Sequence, residues 1–351
     1  MEFPLYPLKF QPLFKRYLWG GRRLSTMLGK AIGEGDDYAE SWEIADHEQG
    51  QSVIANGSLA GTTLHELVLT RPAELFGRQT ERISRGQPVG RDPRFPLIFK
   101  YLDAQRDLSV QVHPNDAAAA LLTPPDLGKT EAWLILDAQA GSLVYAGLKF
   151  GFGRTELQRE VERGRSELCL NWFEARAGQC LFIPAGTVHA LGAGLLVAEI
   201  QQASDTTYRL FDWNRTGPDG QPRQLHIEQA LEAIDYTRHV ISPQSPQPTE
   251  RPHVERLVVC EKFMLDRWRL SQMDKLGGDG RFHILSVLDG EVLLSGSGPQ
   301  VELGRKPGAT TTDEVSLLSL IRGQTVLLPA CLGQVTVASR DSAVMLDMYL
   351  P

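Results

Sequence analysis

The sequence predicts a mainly β protein made of two related barrels or sandwiches, for three reasons. Short apolar runs rich in β-branched and aromatic residues alternate with glycine and proline, which is typical of a sandwich or barrel rather than a doubly wound sheet. Helical patterns are fewer. Finally, GQCLFIPAGTVH (178–189) and GQTVLLPACLGQ (323–334) share a leading Gly-Gln and a Pro-Ala pair at the same spacing, as related domains would.

The strand candidates are apolar runs bounded by turn residues. In chain order they are FPLIFKYL (95–102), SVQVH (109–113), EAWLILDA (131–138), QCLFIPAG (179–186), GLLVAEIQQA (194–203), FHILSVLDGEVLL (282–294), TVLLPA (325–330) and QVTVAS (334–339). Helix candidates, in which apolar residues recur at helical spacing, are fewer than strand candidates. These are TTLHELVLTRPAELFG (62–77), NDAAAALL (115–122), TELQREVERG (155–164) and HIEQALEAID (226–235).

One segment predicts the domain boundary. ISPQSPQPTERPH (241–253) contains four prolines and almost no apolar residue, a composition typical of an extended linker. We therefore expect a domain over 1–240 that includes the flanking helices, a linker over 241–253 and a second barrel over 254–351.

Length and charge restrict the function. The 351 residues carry a formal net charge of −7, which argues against general nucleic-acid binding because phosphate contacts need a basic surface. The start of the chain lacks the pattern of a secretory signal, and no stretch approaches the ~20 apolar residues of a membrane span. We expect a cytoplasmic protein that binds neither nucleic acid nor membranes.

The four cysteines favour no special chemistry. Cys169, Cys180, Cys260 and Cys331 lie far apart and none forms a C-x-x-C pair. Neither a disulfide scaffold nor a cysteine zinc site is indicated. We expect buried, reduced thiols.

Four residues from three separate stretches of the sequence predict a metal site. Gln111 and His113 alternate onto one strand face in SVQVHPND, Glu131 begins EAWLILDA, and His189 ends PAGTVH. Imidazole, carboxylate and amide oxygen suit Zn²⁺ or a neighbouring divalent metal. A single histidine at a strand end is more often structural than a ligand, and no pair has zinc-finger spacing, so the hypothesis depends on the combination.

The second repeat lacks the corresponding ligands. Gln334 aligns with His189, and His283 aligns with Glu131. We therefore expect the second barrel to hold no metal. The remaining histidines are interpreted as structural or solvated: His47, His65, His226, His239, His253 and His283.

At this point several stretches resemble a known family. LSVQVHPND, GKTEAW, IPAGTVHALG and QQASDTTYRLFDW are similar to signature stretches of the mannose-6-phosphate (phosphomannose) isomerases in their shorter bacterial form. WGG (19–21), ESWEIADH (40–47) and FPLIFKYLDA (95–104) support the same resemblance, which covers nearly the whole chain. It implies two cupin barrels of the double-stranded β-helix type and a zinc-dependent isomerase that interconverts D-mannose 6-phosphate and D-fructose 6-phosphate.

The resemblance also implies residue roles. One Zn²⁺ per chain would be bound by Gln111, His113, Glu131 and His189. The family's active-site lysine corresponds to Lys129, its S-D-x-x-x-R element to Ser204, Asp205 and Arg209, and the serine before Q-x-H to Ser109. One difference is that longer members carry a helical insertion where only about 58 residues separate Glu131 from His189 here.

The remaining roles follow from the chemistry of isomerisation, which needs a base and positive charge beside the developing oxyanion. Asp205 is the favoured base and Glu199 its rival. Arg209, Lys129 and Ser109 are candidates for binding the sugar phosphate, and Trp133 shares a strand face with Glu131 and is expected to line the pocket. Trp19 and Trp42 are expected in the core or the wall.

Two alternatives stay open from the sequence alone. One is a cupin metalloenzyme of different chemistry, such as an iron oxygenase, against which Gln111 as a fourth protein ligand argues. The other is a sugar-phosphate-binding protein without turnover. The partner in the favoured interpretation is a small sugar phosphate, and the assembly is a monomer or homodimer.

Overall fold

The computed structural model describes residues 4–217, 220–237, 240–296 and 317–351. Strands dominate these residues, so the predicted mainly β class is confirmed. The first part of the chain contains the strands β1 (Leu13–Gly21), β2 (Tyr38–Ile44), β3 (Asp46–His47), β4 (Gly50–Gln51), β5 (Leu97–Ala104), β6 (Val110–Val112), β7 (Glu131–Ala138), β8 (Leu143–Leu148), β9 (Leu170–Glu174), β10 (Cys180–Ile183), β11 (His189–Leu191), β12 (Leu195–Gln202) and β13 (Tyr208–Phe211).

A second set of strands follows: β14 (Gln247–Pro248), β15 (Val254–Val259), β16 (Met264–Leu270), β17 (Asp274–Gly277), β18 (His283–Asp289), β19 (Glu291–Gly296), β20 (Leu317–Ile321), β21 (Thr325–Leu328), β22 (Gln334–Ser339) and β23 (Ala343–Tyr349). All pairings within the main sheets are antiparallel.

The two sets have the same strand order. The first forms a six-stranded sheet (β1, β2, β5, β12, β7, β10) and a five-stranded sheet (β13, β6, β11, β8, β9). The second forms a six-stranded sheet (β14, β15, β16, β23, β18, β21) and a four-stranded sheet (β17, β22, β19, β20). Each strand of the second set therefore has a counterpart in the first, as the sequence match predicts.

The topology also tests the alignment of the two repeats. Glu131 and His283 are the first residues of the corresponding strands β7 and β18, and His189 and Gln334 are the first residues of β11 and β22. Gln111 pairs with His189, and Gly277 pairs with Gln334 at the equivalent place. The strand positions agree with the alignment, and the second repeat has His283, Gln334 and Gly277 at the equivalent positions.

The helices are short and few. They are α1 (Arg23–Thr26), α2 (Leu64–Thr70), α3 (Pro72–Phe76), α4 (Thr80–Arg85), α5 (Asp116–Ala119), α6 (Arg154–Glu162) and α7 (Ile227–Ala233). Each of the four predicted helical segments contains one or two of them, whereas α1 and α4 were not predicted. α2 begins with a capping box, in which the Thr63 hydroxyl accepts from the Glu66 amide and the Glu66 carboxylate accepts from the Thr63 amide.

The largest apolar core is shared by both sets of strands. Phe76 and Phe95 from the first part pack on Phe282 from the second, with ring centroids 6.1 Å and 4.8 Å away. Leu8 and Leu327 form a β-bridge between the two parts. The predicted linker segment contains β14, which pairs with β15, while Gln244 donates from its amide to the Cys180 carbonyl.

The cysteine prediction was partly wrong. All four thiols are free, and Cys169 and Cys180 are buried as expected. Cys260 is half-buried, however, and Cys331 is exposed because it lies in a short 3₁₀ turn at the surface. Among the residues described, no helix is both long enough and apolar enough to cross a membrane.

Candidate metal centre and active site

The register of the first six-stranded sheet places charged side chains on its inner face. Trp42, Lys100, Glu199 and Trp133 are directly opposite one another across β2, β5, β12 and β7. Residues opposite one another in neighbouring strands project to the same face. Glu131 lies two residues before Trp133 on β7 and shares that face.

The facing five-stranded sheet contributes the other polar groups. Val110 and Val112 of β6 lie in the apolar core, so Gln111 and His113 project to the opposite face. His189 begins β11 directly beside Gln111. The two sheets therefore bring Gln111, His113, Glu131 and His189 close together.

Three of these side chains form a compact buried cluster. Ligand atoms of His113, Glu131 and His189 lie within 4.8 Å of one another, and each residue is about 1 % exposed. His113 Nε2 is 3.5 Å from Glu131 Oε2, and His189 Nε2 is 3.3 Å from Glu131 Oε1. Gln111 lies beside this cluster, with its amide nitrogen Nε2 3.3 Å from His189 Nε2.

The hydrogen bonds of the cluster suit a divalent metal. His113 Nδ1 donates to the Thr206 carbonyl at 2.9 Å and His189 Nδ1 donates to the Thr187 carbonyl at 2.8 Å, which leaves both Nε2 atoms as acceptors. Glu131 Oε1 is buried and has no hydrogen-bond partner among the described residues. Two neutral imidazoles and one carboxylate form a donor set typical of a catalytic metal site.

Burial controls the protonation of the cluster. Loss of solvent lowers the pKa of His189 to about 4 and also lowers the pKa of His113. The same burial raises the pKa of Glu131 to about 7. The histidines are thus neutral at physiological pH, the form in which imidazole binds metals.

Two lysines compensate the buried carboxylates. Lys129 contacts Glu131 in an ion pair, and its Nζ lies 3.4 Å from Glu199 Oε1 and 3.1 Å from His113 Nε2. Lys100 lies 3.5 Å from Glu199 and 3.6 Å from Glu40. Burial opposes the ionisation of Lys100, but the carboxylates of Glu199 and Glu40 raise its pKa. Burial also disfavours the charge on Glu199, but Lys100 and Lys129 lower the pKa of its carboxyl group.

Arg209 lies at the edge of the site. Its Nε donates to Ser109 Oγ at 3.2 Å and its Nη1 donates to the Gln224 carbonyl at 3.0 Å. Ser109 in turn is 3.4 Å from Gln111 Oε1. The guanidinium is half-buried, which lowers its pKa, and it forms no ion pair within the described part of the chain.

Asp205 takes no part in the ion pairs of the site among the described residues. It is half-buried, and its carboxylate forms no ion pair with any described residue, so the Asp205–Arg209 pair considered from the sequence is absent. Trp133 packs edge-on against His189, with ring centroids 5.2 Å apart, as expected for a wall residue. Trp19 and Trp42 are buried, as expected.

Sequence reasoning missed Lys100 and Glu40. The available signal was a lysine in the middle of the apolar run FPLIFKYL and a glutamate in ESWEI, since a charge at an inward strand position needs a partner. Of the other histidines, His65 pairs with Asp46, His253 with Asp274 and His283 with Asp347. His239 lies outside the described residues.

Comparisons with known proteins agree with this arrangement. A family model described as the catalytic domain of type I phosphomannose isomerase matches residues 7–131. The mannose-6-phosphate isomerase ManA of Bacillus subtilis is 38% identical over 289 residues, which are 81% of this chain and 86% of the relative. The probable mannose-6-phosphate isomerase GmuF of the same organism is 36% identical over 299 residues, covering 85% of this chain and 90% of the relative.

Solved structures support the same conclusion. The crystal structure of the mannose 6-phosphate isomerase from Bacillus subtilis superposes with a TM-score of 0.82 at 30% identity, covering 99% of this chain and 100% of that chain. A putative mannosephosphate isomerase from Archaeoglobus fulgidus shares the fold, with a TM-score of 0.74 at 23% identity over 100% of this chain and 99% of that chain. The cupin-like fold expected from the resemblance is confirmed, and the chain belongs to the mannose-6-phosphate isomerase family.

Proposed function

We propose that this chain is a zinc-dependent aldose–ketose isomerase that interconverts D-mannose 6-phosphate and D-fructose 6-phosphate. The observation that carries the proposal is the buried convergence of His113, Glu131 and His189 in a chain of this family. Lysines and a second carboxylate beside that cluster supply the charges that proton transfer needs.

One Zn²⁺ per chain would be bound by Gln111, His113, Glu131 and His189. The neutral imidazoles support this donor set, as does the Glu131 Oε1 atom, which has no hydrogen-bond partner among the described residues. When bound, zinc supplies a Lewis acid that polarises a substrate oxygen. Only one of the four side chains is anionic, so the site stays net positive.

The isomerisation moves a proton between C1 and C2 of the sugar through an enediol or enediolate. Glu199 and Asp205 are the candidates for the group that takes up and returns this proton. The contacts support Glu199, because it projects into the site beside Lys129 and the lysines hold it ionised, ready to accept a proton. Asp205 has no comparable contact in the described part of the chain.

Cationic side chains would bind the anionic parts of the substrate. Lys129 lies where it can stabilise the developing oxyanion and can donate a hydrogen bond to it. Arg209 offers a guanidinium that pairs with no carboxylate among the described residues, and its Nε donates to Ser109 Oγ. A guanidinium of this kind suits a phosphate group. Trp133 would form one wall of the sugar site.

Residues 1–240 would form the catalytic domain, and residues 254–351 a second cupin domain without a metal site. The segment 241–253 would connect them. We propose a cytoplasmic enzyme, monomeric or homodimeric, whose partner is the sugar phosphate and which binds neither nucleic acid nor membranes.

The proposal is tested by a coupled assay for fructose 6-phosphate formation from mannose 6-phosphate. The protein is first stripped with a chelator and then reconstituted with Zn²⁺. Activity should disappear with the metal and return with zinc, and His113→Ala should lose both bound zinc and activity. A reconstituted protein that holds stoichiometric zinc but forms no fructose 6-phosphate would refute the proposal.

A further inference from the structure

The segment that carries Lys129 and Glu131 is held by a chain of hydrogen bonds. Three successive amides have separate acceptors: Gly128 N donates to Asp116 Oδ1 at 2.9 Å, Lys129 N to the Pro114 carbonyl at 3.1 Å and Thr130 N to Gln202 Oε1 at 3.1 Å. Two of these acceptors are side-chain atoms. The conformation of this segment therefore depends on residues distant in the sequence.

Asp116 and Gln202 also bind each other. Gln202 Nε2 donates to Asp116 Oδ1 at 2.8 Å, and Gln202 N donates to the Thr130 carbonyl at 3.1 Å. Gln202 is only 7% exposed. These contacts enclose the backbone of Gly128 to Thr130 between α5 and the end of β12.

Gly128 lies too close to the backbone at the start of α5 to carry a side chain. A Cβ added at Gly128 would lie 2.5 Å from Asp116 N and 2.7 Å from the Asn115 carbonyl carbon. Both are backbone atoms that cannot move aside without moving α5. A glycine is therefore required if the GKTE segment is to approach the Asp116 carboxylate this closely.

Asp116 has a third partner from the second set of strands. Lys262, in the turn between β15 and β16, donates from Nζ to Asp116 Oδ2 at 2.5 Å. Partial burial opposes the charge on Asp116, but the bonds from Lys262 and Gln202 outweigh it and lower its pKa. Both oxygens of the Asp116 carboxylate therefore accept hydrogen bonds, Oδ1 from Gly128 and Gln202 and Oδ2 from Lys262.

From these contacts we propose that Asp116 is a positioning residue for Lys129 and Glu131, acting through the amide of Gly128 and through Gln202. Lys262 holds Asp116 in place, which gives the second barrel a direct contribution to the catalytic segment. The inference rests on the proposed function, since it assigns a role around the same site. It also explains the Asp of HPND, the Gly of GKTE and the second Gln of QQASD, none of which contacts the ligand cluster directly.

The first test compares Asp116→Ala with Asn115→Ala. Asn115 caps the same helix by accepting from Ala118 N at 2.9 Å, so Asn115→Ala weakens α5 but removes none of the hydrogen bonds to the amides of residues 128–130. In zinc-loaded protein we expect Asp116→Ala to lower kcat about tenfold and to release zinc to a chelator about tenfold faster, the range seen when a partner of a metal ligand is removed. Asn115→Ala should stay within about threefold of wild type in both measurements.

Hydrogen exchange provides a readout independent of turnover. The amides of Gly128 and Thr130 should lose protection in Asp116→Ala and keep it in Asn115→Ala. Asp116→Asn retains a carbonyl acceptor for both donors and should restore the protection and most of kcat. Unchanged protection in Asp116→Ala, or a kcat within threefold of that of Asn115→Ala, would overturn the proposal.

Lys262 is tested by a double-mutant cycle. Lys262→Met should lower kcat about threefold in the wild-type background and have no further effect in Asp116→Ala. Lys275→Met is the matched control, because Lys275 also belongs to the second set of strands and donates to a side chain, Thr336 Oγ1, at the surface. An equal effect in both backgrounds, or none in the wild type, would refute the role of Lys262. If wild-type protein with zinc is inactive, the proposed function fails while the exchange measurements still decide the positioning of residues 128–130.

Discussion

Glu199 and Asp205 can be distinguished by their surroundings. Glu199 is buried and lies between Lys100 and Lys129, whereas Asp205 is half-buried and forms no ion pair within the described residues. Glu199 is held ionised by the two lysines and lies beside the ligand cluster, so it is available to accept a proton. These contacts favour Glu199 over Asp205, the base preferred from the sequence.

We predict that Glu199→Gln lowers kcat by about 10²–10⁴, the usual contribution of a general base. Zinc content should be unchanged, because Glu199 is not in the proposed ligand set. Asp205→Asn serves as the comparison and should have a smaller effect on kcat. The measurement is the coupled isomerase assay at saturating substrate, and a larger loss in Asp205→Asn than in Glu199→Gln would assign the base to Asp205 instead.

Individual site residues differ in how well the sequence predicts them. Strand alternation predicts that Gln111 and His113 share a face, because the period of two holds within a single strand. Lys100, Glu40 and Asp116 depend on contacts with residues far along the chain, such as Glu199, Gln202 and Lys262. A local pattern marks Lys100 and Glu40 as charges at inward strand positions, but it does not identify their partners, so these contacts and those of Asp116 were found only in the folded chain.

At the scale of elements, strand β18 of the second barrel begins with a histidine at the position where β7 of the first barrel begins with Glu131. His283 begins this strand where Glu131 begins β7, and its Nδ1 lies 2.8 Å from Asp347 Oδ1 while its Nε2 lies 3.3 Å from Asp279 Oδ1. Burial alone would favour the neutral ring, but the two carboxylates raise the pKa of His283 to about 9. A protonated histidine thus occupies the position and supplies positive charge to buried Asp347.

This interaction predicts a pH dependence of stability. The pKa of His283 rises from an ordinary value of about 6.5 when unfolded to about 9 when folded, so its contribution is complete below pH 6.5 and is lost as the pH rises through 9. Urea unfolding at pH 7 and at pH 9.5 should show a loss of roughly 1–3 kcal/mol that is absent in His283→Gln. Equal losses in the two proteins would show that other groups cause the change.

The sequence predicted some strands and missed others of similar length, since β1, β2, β16 and β23 contain seven to nine residues and were not among the candidates. The strands β5, β7, β12 and β18 each extend over seven or eight residues and coincide with the apolar runs. The helices α1 and α4 were missed because they contain only four and six residues, too few to display a helical period. Their conformation depends on packing against neighbouring segments rather than on their own sequence.

For the whole molecule, the sequence predicted two related barrels, and the matching strand orders bear out this relationship. The sequence did not predict that the two barrels share a hydrophobic core cluster. Leu257, Phe263 and Met348 from the second set of strands lie in the same core cluster as Phe99 and Leu134 from the first. Each barrel also contains a core cluster of its own, and separate cores are the usual basis for independent folding of domains. Any dependence of one barrel on the other therefore comes from the shared cluster.

The shared core predicts a single cooperative unfolding transition. Five of the six tryptophans lie in residues 1–240, so fluorescence follows the first barrel while far-UV circular dichroism follows both. In metal-free protein the two signals should change together, and the calorimetric enthalpy should equal the van't Hoff enthalpy. Phe282→Ala removes a second-barrel ring that packs on Phe95. It should destabilise the protein by about 3–5 kcal/mol and lower the midpoint temperature of both transitions equally. If Phe282→Ala instead separates the transitions, with fluorescence unchanged, the two barrels fold independently and the core cluster couples them only weakly.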